Sequence, residues 1–416
     1  MLNDNYFRDI EWPQSPLKAE NLDAEQLKQF LRIRSEYEKS AFVSSGHLEV
    51  RALNPKEFME PIPPGESAVT AVAAHPSGHV YGGTSGKNAH LFFYNPAPDA
   101  DACVDIGVIL PEARTVALCV LPNGMLAGAV NPCEPNALGV LFSYKSCAYL
   151  LDEKDFTGLG VREIFDLPAE DQFFTSTIDP CHSAGKIEIL TSPIPEKISD
   201  LQAALDGSCL YLLGAASGQI FRCNIDGSAV ECLGRLDPNG IFSEKLFLDH
   251  VGNLYGAGLY GRIFRWSPEN RILEALPCVA PSLKGRELYN KITAWTCSSD
   301  GSIVGGTVDG LLFRFLPDQN KVICLGKPTA ETFVSGLAWS GGKLYGIFGG
   351  DNDCAHLGCW NPLTGELKDL GCPLARSERP WHGYRFSCMT TGINGTIFMG
   401  ESDRISHLFM YFPAVE

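Results

Sequence analysis

Gly78-His-Val-Tyr-Gly-Gly-Thr-Ser-Gly-Lys-Asn-Ala-His-Leu-Phe-Phe-Tyr-Asn-Pro96 reads as two short apolar strands joined by a glycine-bearing turn and closed by an Asn-Pro stop. The first of these strands returns six times along the chain. The copies are Gly124-Met-Leu-Ala-Gly-Ala-Val-Asn131, Ser208-Cys-Leu-Tyr-Leu-Leu-Gly214, Gly252-Asn-Leu-Tyr-Gly-Ala-Gly258, Gly301-Ser-Ile-Val-Gly-Gly-Thr307, Gly342-Lys-Leu-Tyr-Gly-Ile-Phe348 and Gly395-Thr-Ile-Phe-Met-Gly-Glu401. A short apolar run precedes each, such as Val69–Ala74, Ile292–Cys297 or Val334–Ser340. Another follows most of them, such as Cys103–Ile109, Val230–Leu236, Val322–Pro328 or Leu367–Pro373. Four short strands per repeat, apolar on both faces, bury little alone. Packed radially they cover one another, which is the β-propeller arrangement.

Spacing sets the number of blades. The aligned glycines lie 46 residues apart from Gly82 to Gly128, 42 from Gly214 to Gly256, 41 from Gly305 to Gly346 and 54 from Gly346 to Gly400. The 86 residues between Gly128 and Gly214 leave room for an eighth blade. Residues 147–198, however, lack the repeat and contain Pro168, Pro180, Pro193 and Pro195, so they read as the end of blade 2 plus an insertion at about 168–198. The expected fold is therefore all-β, a seven-bladed propeller over 67–413 with four-stranded blades. The last repeat ends too early for a fourth strand, and His47–Leu53 in the extension 1–66 is expected to complete it and so remove the free sheet edge. Asp23–Ala41 is a short helix candidate, capped by Asp23, with an apolar stripe of Leu27, Phe30, Leu31 and Ile33, expected to pack outside the ring.

Of 416 residues, 33 are Lys or Arg and 49 Asp or Glu, for a net charge of −16. That balance argues against nucleic acid as a partner, because releasing counterions from a phosphate backbone takes a basic surface. No apolar run is long enough to span a bilayer, and the polar, acidic start lacks the pattern of an export signal, so no membrane association is expected. Fifteen scattered cysteines with no CxxC fit reduced thiols, and a cytoplasmic location is expected.

In a propeller, the turns between second and third strands share one face with the connections between blades. Blades 1, 6 and 7 have unusual turns there: Thr84–His90, Gly349–His356 and Glu401–His407. Each ends in a histidine that enters the third strand just before a leucine. His90, His356 and His407 are thus candidate catalytic imidazoles in one sector, with Asp351, Asp353, Glu401 and Asp403 as carboxylates that a divalent metal could use. The connection Leu374–Arg385 adds His382, Tyr384, Trp381 as a stacking platform, and Arg376, Arg379 and Arg385, with Arg404 nearby, as binders of an anionic group. The duller reading is that the histidines satisfy backbone carbonyls at the loop base and the arginines pair with Glu378, Asp351 and Glu401. Arg114 and Arg286 are further residues on inter-blade connections, and His182, in the insertion, could overhang the mouth. His75, His79 and His250 fall near the opposite face and read as structural.

The unit at 80–96, Val-Tyr-Gly-Gly-Thr through Ala-His-Leu-Phe to Tyr-Asn-Pro, resembles the blade repeat of seven-bladed carbohydrate-active propellers, notably ulvan lyases and propellers acting on rhamnosyl-glucuronic acid linkages. The resemblance extends over the blades from about 67 to 413. It implies a site where Arg neutralises a uronate while His or Tyr removes the C5 proton and protonates the leaving oxygen. His90, His356 and His407 match by repeat position, although no second histidine closely follows His90 as in an early ulvan-lyase blade. The expected function is cleavage of a uronic-acid-containing oligosaccharide by β-elimination, with no cofactor required. A glycosidase, a metal-dependent lyase on the same face, a propeller that has lost its chemistry and a non-catalytic binding scaffold are the alternatives.

Overall fold

The computed structural model describes residues 43–52, 66–95, 102–145, 185–298, 301–350, 353–375, 381–403 and 406–414. Among them are seven four-stranded antiparallel units. Blade 1 comprises Glu66–Ala74, Val80–Gly86, Asn88–Asn95 and Ala102–Pro111. Blade 2 follows with Ala113–Val120, Leu126–Pro132, Val140–Lys145 and Lys186–Ile189, and a single bridge between Ser85 and Arg114 joins the two sheets. Blades 3, 4 and 5 begin at Ile198, Phe247 and Ile292. Blade 6 holds Val334–Ser340, Lys343–Phe348, His356–Trp360 and Leu367–Gly371. Blade 7 holds Phe386–Thr391, Ile397–Glu401 and His407–Phe412.

The fourth strand of blade 7 is His47–Ala52, antiparallel to His407–Phe412 with His47 opposite Phe412 and Ala52 opposite His407. Closure by the early strand is thus as expected. The helix candidate Asp23–Ala41 lies outside the described residues.

All seven first strands line one central channel of about 560 Å³. Among the described lining residues the charged ones are Asp200 and Lys245, paired at 3.4 Å, with Trp295 and Trp339 among the rest. Hydroxyls on the first strands reach the next blade: Thr70 Oγ1 donates to the Thr115 carbonyl at 2.7 Å, Thr293 Oγ1 to Val334 at 2.7 Å, and Ser387 Oγ to Val69 at 2.6 Å. The last of these ties blade 7 to blade 1. The apolar core sits between blades. One cluster joins Val304 and Leu312 of blade 5 to Val334, Leu344 and Trp360 around blade 6, and another joins Tyr345 and Leu357 to Phe386, Phe409 and Leu48.

In blades 1, 2 and 5 the second-strand glycine lies beneath a phenylalanine ring of the third strand, at Gly82, Gly128 and Gly305. A Cβ on Gly82 would collide with the Phe92 ring, and one on Gly305 with the Phe313 ring. Gly305→Ala is therefore expected to cost about 1–3 kcal/mol, as overpacking does in a filled core. Chemical denaturation of the variant against the natural chain measures it.

Two details differ from the sequence reading. Opposite the equivalent ring, blade 3 places Leu212 and blade 7 Met399, so Gly214 and Gly400 sit two and one residues beyond the repeat position. Lys186–Ile189, inside the expected insertion, pairs with Val140–Lys145 as the fourth strand of blade 2. The long connection thus leaves between third and fourth strands, at the Lys145–Lys186 end. That end belongs to the face of the first-to-second-strand turns, opposite the candidate mouth. His182 itself lies outside the described residues.

Candidate functional site

The turns of blades 6 and 7 are stitched to the connection between them. The Ala355 N–H donates to the Tyr384 carbonyl and the Ser402 N–H to the Arg385 carbonyl, each at 2.9 Å. Within the connection, Leu374–Ala375 pairs with Trp381–His382. One rim is thereby built from His356, His382, Tyr384, Arg385, Glu401 and His407. Arg376, Arg379, Arg404 and Asp351 fall outside the described residues. Among the described residues, none of the predicted site residues lines the central channel.

His90, His356 and His407 do share one register: the leucine after each lies opposite Gly83, Ile347 and Gly400, the equivalent residues of their blades. Each imidazole is held by a carboxylate of its own blade. His90 Nδ1 is 3.1 Å from Asp105, His356 Nδ1 is 3.0 Å from Asp369 and His407 Nδ1 is 2.8 Å from Glu401. His90 and His407 are buried, whereas the His356 side chain is 23 % exposed. Of the three, His356 therefore offers the most accessible ring. Its Nε2 lies 3.3 Å from Cys372 Sγ and 3.9 Å from Glu331 Oε1.

Trp381, expected to stack on a sugar, packs on His407 with ring centroids 4.3 Å apart, and its Nε1 donates to Glu401 at 3.0 and 3.1 Å. Its ring is thus committed to the protein. Burial pushes the fully buried Glu401 carboxyl well above the usual carboxylate range, with Asp403 adding and the Trp381 N–H opposing. A carboxyl that stays protonated in the fold while ionising in the unfolded chain contributes stability at acid pH. That contribution is lost as pH rises through its folded-state pKa. Melting temperatures of Glu401→Gln and the natural chain, measured as a function of pH, are expected to diverge above the ordinary carboxylate range, with the natural chain declining more.

His382 and Tyr384 form the most chemically suggestive pair. Their ring centroids are 4.2 Å apart, and Tyr384 is exposed. His382 is half-buried, and its buried Nε2 has no hydrogen-bond partner among the described residues. Burial holds this imidazole below its ordinary pKa, and a charge on nearby His356 presses it further down. A neutral ring with an unmet polar atom, beside a phenol, can take and give protons. Arg385 is exposed next to them.

Asp353 accepts from the Thr332 N–H at 3.2 Å and from its hydroxyl at 2.6 Å, and this hydroxyl holds the carboxyl below its usual range. Among the described residues, no group of three or more His, Cys, Asp or Glu side chains is arranged to hold a metal ion. Arg286 pairs with Asp309, and Arg114 is exposed on the rim of blade 2. His75 bridges Ser77 and the Gly124 carbonyl, a structural tie on the far face. Sequence reasoning missed Asp369, Cys372 and Glu331. The available signal was Asp369-Leu-Gly-Cys372, which matches Asp105-Ile-Gly-Val108 in the other blade with a His–Asp pair.

No family model and no curated protein matches the chain. Solved propeller-like structures do. A streptogramin B lyase is similar with a TM-score of 0.61 at 12% identity, covering 90% of this chain and 100% of the other. Virginiamycin B lyase from Staphylococcus aureus gives 0.57 at 11% identity over 84% and 96%. The extracellular domain of a one-component system from B. thetaiotaomicron gives 0.55 at 14% identity over 87% of this chain and 40% of that one. At these identities the likeness shows the fold alone. No helix among the described residues is long and apolar enough to cross a membrane.

Proposed function

We propose that the chain is a lyase that cleaves a uronic-acid-containing oligosaccharide by β-elimination at the rim between blades 6 and 7. The observation that carries this reading is His382: a half-buried imidazole held below its ordinary pKa by its surroundings, with a ring nitrogen that has no hydrogen-bond partner among the described residues, against the exposed Tyr384. His382 takes the C5 proton beside the sugar carboxylate, whose charge Arg385 offsets. The electron pair forms the C4–C5 double bond as the C4–O bond breaks, and Tyr384 gives its phenolic proton to the departing oxygen. The proton on His382 then returns to the tyrosinate through solvent. His356 does not touch the substrate in this reading; a charge on it disfavours protonation of His382. This chemistry needs no cofactor, and the lyase names of two fold neighbours support the reaction class. The many free thiols support a reducing, cytoplasmic setting.

Uronate-containing oligosaccharides, screened for ultraviolet absorbance of an unsaturated product alongside release of reducing ends, test the reading. Both signals are expected to rise together. Reducing ends without absorbance would replace elimination by hydrolysis, and neither signal on any uronate would overturn the substrate class.

A further inference from the structure

Blades 1 and 6 carry the same local device. In blade 1, Asp105 accepts from the Gly107 N–H at 3.0 Å and from His90 Nδ1 at 3.1 Å. In blade 6, Asp369 accepts from the Gly371 N–H at 2.8 Å and from His356 Nδ1 at 3.0 Å. Both glycines sit in a bulge of the fourth strand with positive φ, 137° at Gly107 and 105° at Gly371. The residue after the glycine faces the histidine across the sheet. Blade 1 has Val108 there, directly opposite His90. Blade 6 has Cys372, with Sγ 3.3 Å from His356 Nε2. One substitution on a repeated frame has thus set a thiol against an imidazole already oriented by a carboxylate.

With Nδ1–H donated to Asp369, Nε2 carries the lone pair, and the Cys372 thiol donates to it. This is the order of groups found in nucleophilic acyl transfer: nucleophile, base, orienting acid. We propose that Cys372, His356 and Asp369 form a nucleophilic triad that takes an acyl group from a carboxylic ester or thioester. Sulfur attacks the carbonyl carbon while its proton passes to His356 Nε2. The ester C–O bond then breaks and the leaving oxygen takes that proton, which leaves a thioester on Cys372. Water, with His356 as base, hydrolyses the thioester to the carboxylic acid and regenerates the thiol.

Access favours blade 6 over blade 1, since Cys372 and His356 are both only partly buried. Burial pushes the Cys372 thiol up to about 11, with charges on Cys354, Asp369 and Glu331 adding. The thiol therefore keeps its proton at neutral pH and depends on His356 to lose it during attack. Glu331, Cys354 and His382 are the other titratable groups around this pair. The lyase reading does not enter this assignment, which uses neither His382 nor Tyr384 as a reacting group.

The test is p-nitrophenyl acetate on the full chain at neutral pH, with p-nitrophenolate release followed in time and the acetyl group located by peptide mass spectrometry. The expected result is a burst of about one equivalent with the acetyl group on Cys372. Cys372→Ala and Cys372→Ser abolish the burst. His356→Ala slows acylation by about 100-fold or more, and added imidazole restores part of the rate. Asp369→Asn keeps an oxygen for the Gly371 N–H, so the bulge survives, yet acylation slows, and Asp369→Glu recovers part of it. Thermal melts of each variant separate loss of chemistry from loss of fold. Acetylation confined to other cysteines such as the exposed Cys354, no acetylation, or an unchanged rate in a folded His356→Ala variant would each overturn the proposal.

Discussion

Replacing His382 with alanine is expected to lower turnover of a uronate-containing oligosaccharide by about 10²- to 10⁴-fold, the usual worth of a general base. Its environment makes the ring a base at neutral pH. Burial and the neighbouring His356 both disfavour the charged form, so the ring stays neutral above the ordinary histidine pKa. The kcat/KM profile should therefore be flat through neutrality and fall only as pH drops below about 6.5. His356→Ala removes the repelling charge, and the acid limb of the profile should move to higher pH. Steady-state kinetics of the three proteins across pH measure both effects. Full turnover by a folded His382→Ala variant would place the base elsewhere on the ring.

The second large effect concerns closure. Leu48 and Val50, 2 % and 5 % exposed, pack the early strand into the cluster formed by blades 6 and 7. Truncating one such aliphatic side chain typically costs about 2–5 kcal/mol, and a carboxylate in its place adds the cost of burying charge. A chain carrying both Leu48→Asp and Val50→Asp stands to lose most of the ~5–15 kcal/mol that holds a domain folded. The expected outcome is loss of the cooperative thermal transition and soluble aggregates in size-exclusion chromatography, because the edge at His407–Phe412 is left unpaired. A monomer melting within a few degrees of the natural chain would show that the ring does not depend on this strand.

The ring was readable because its cause is repetitive: apolar strands with turns between them recur at one spacing, and a missing last strand calls for an early one. The three histidines were placed in the correct register for the same reason. Their surroundings were not readable. Asp105 and Asp369 reach their histidines from the next strand only because a bulge at Gly107 and Gly371 turns the carboxylates inward. Pairing across a bulge leaves no periodic trace. Trp381 drew attention as an exposed-looking aromatic in an arginine-rich loop, yet the buried carboxyl of Glu401 holds its indole N–H. Gly214 and Gly400 were misaligned because a second-strand glycine can answer either to a crowding ring or to the strand end, where a Cβ on Gly214 would meet Glu196.

Because the strand at His47–Ala52 pairs with the one at His407–Phe412, the earliest described segment is synthesised long before its partner exists. At roughly 5–20 residues per second, Leu48 and Val50 wait on the order of tens of seconds, with neither neighbour nor cover, while the intervening blades emerge from the ribosome. Holding that segment off other chains during translation is work for a chaperone. A circular permutant opened in the turn between blades 3 and 4 would leave the 50 residues 413–416 and 1–46 between the two strands, in place of the 354 that now separate them, and shorten the vulnerable interval.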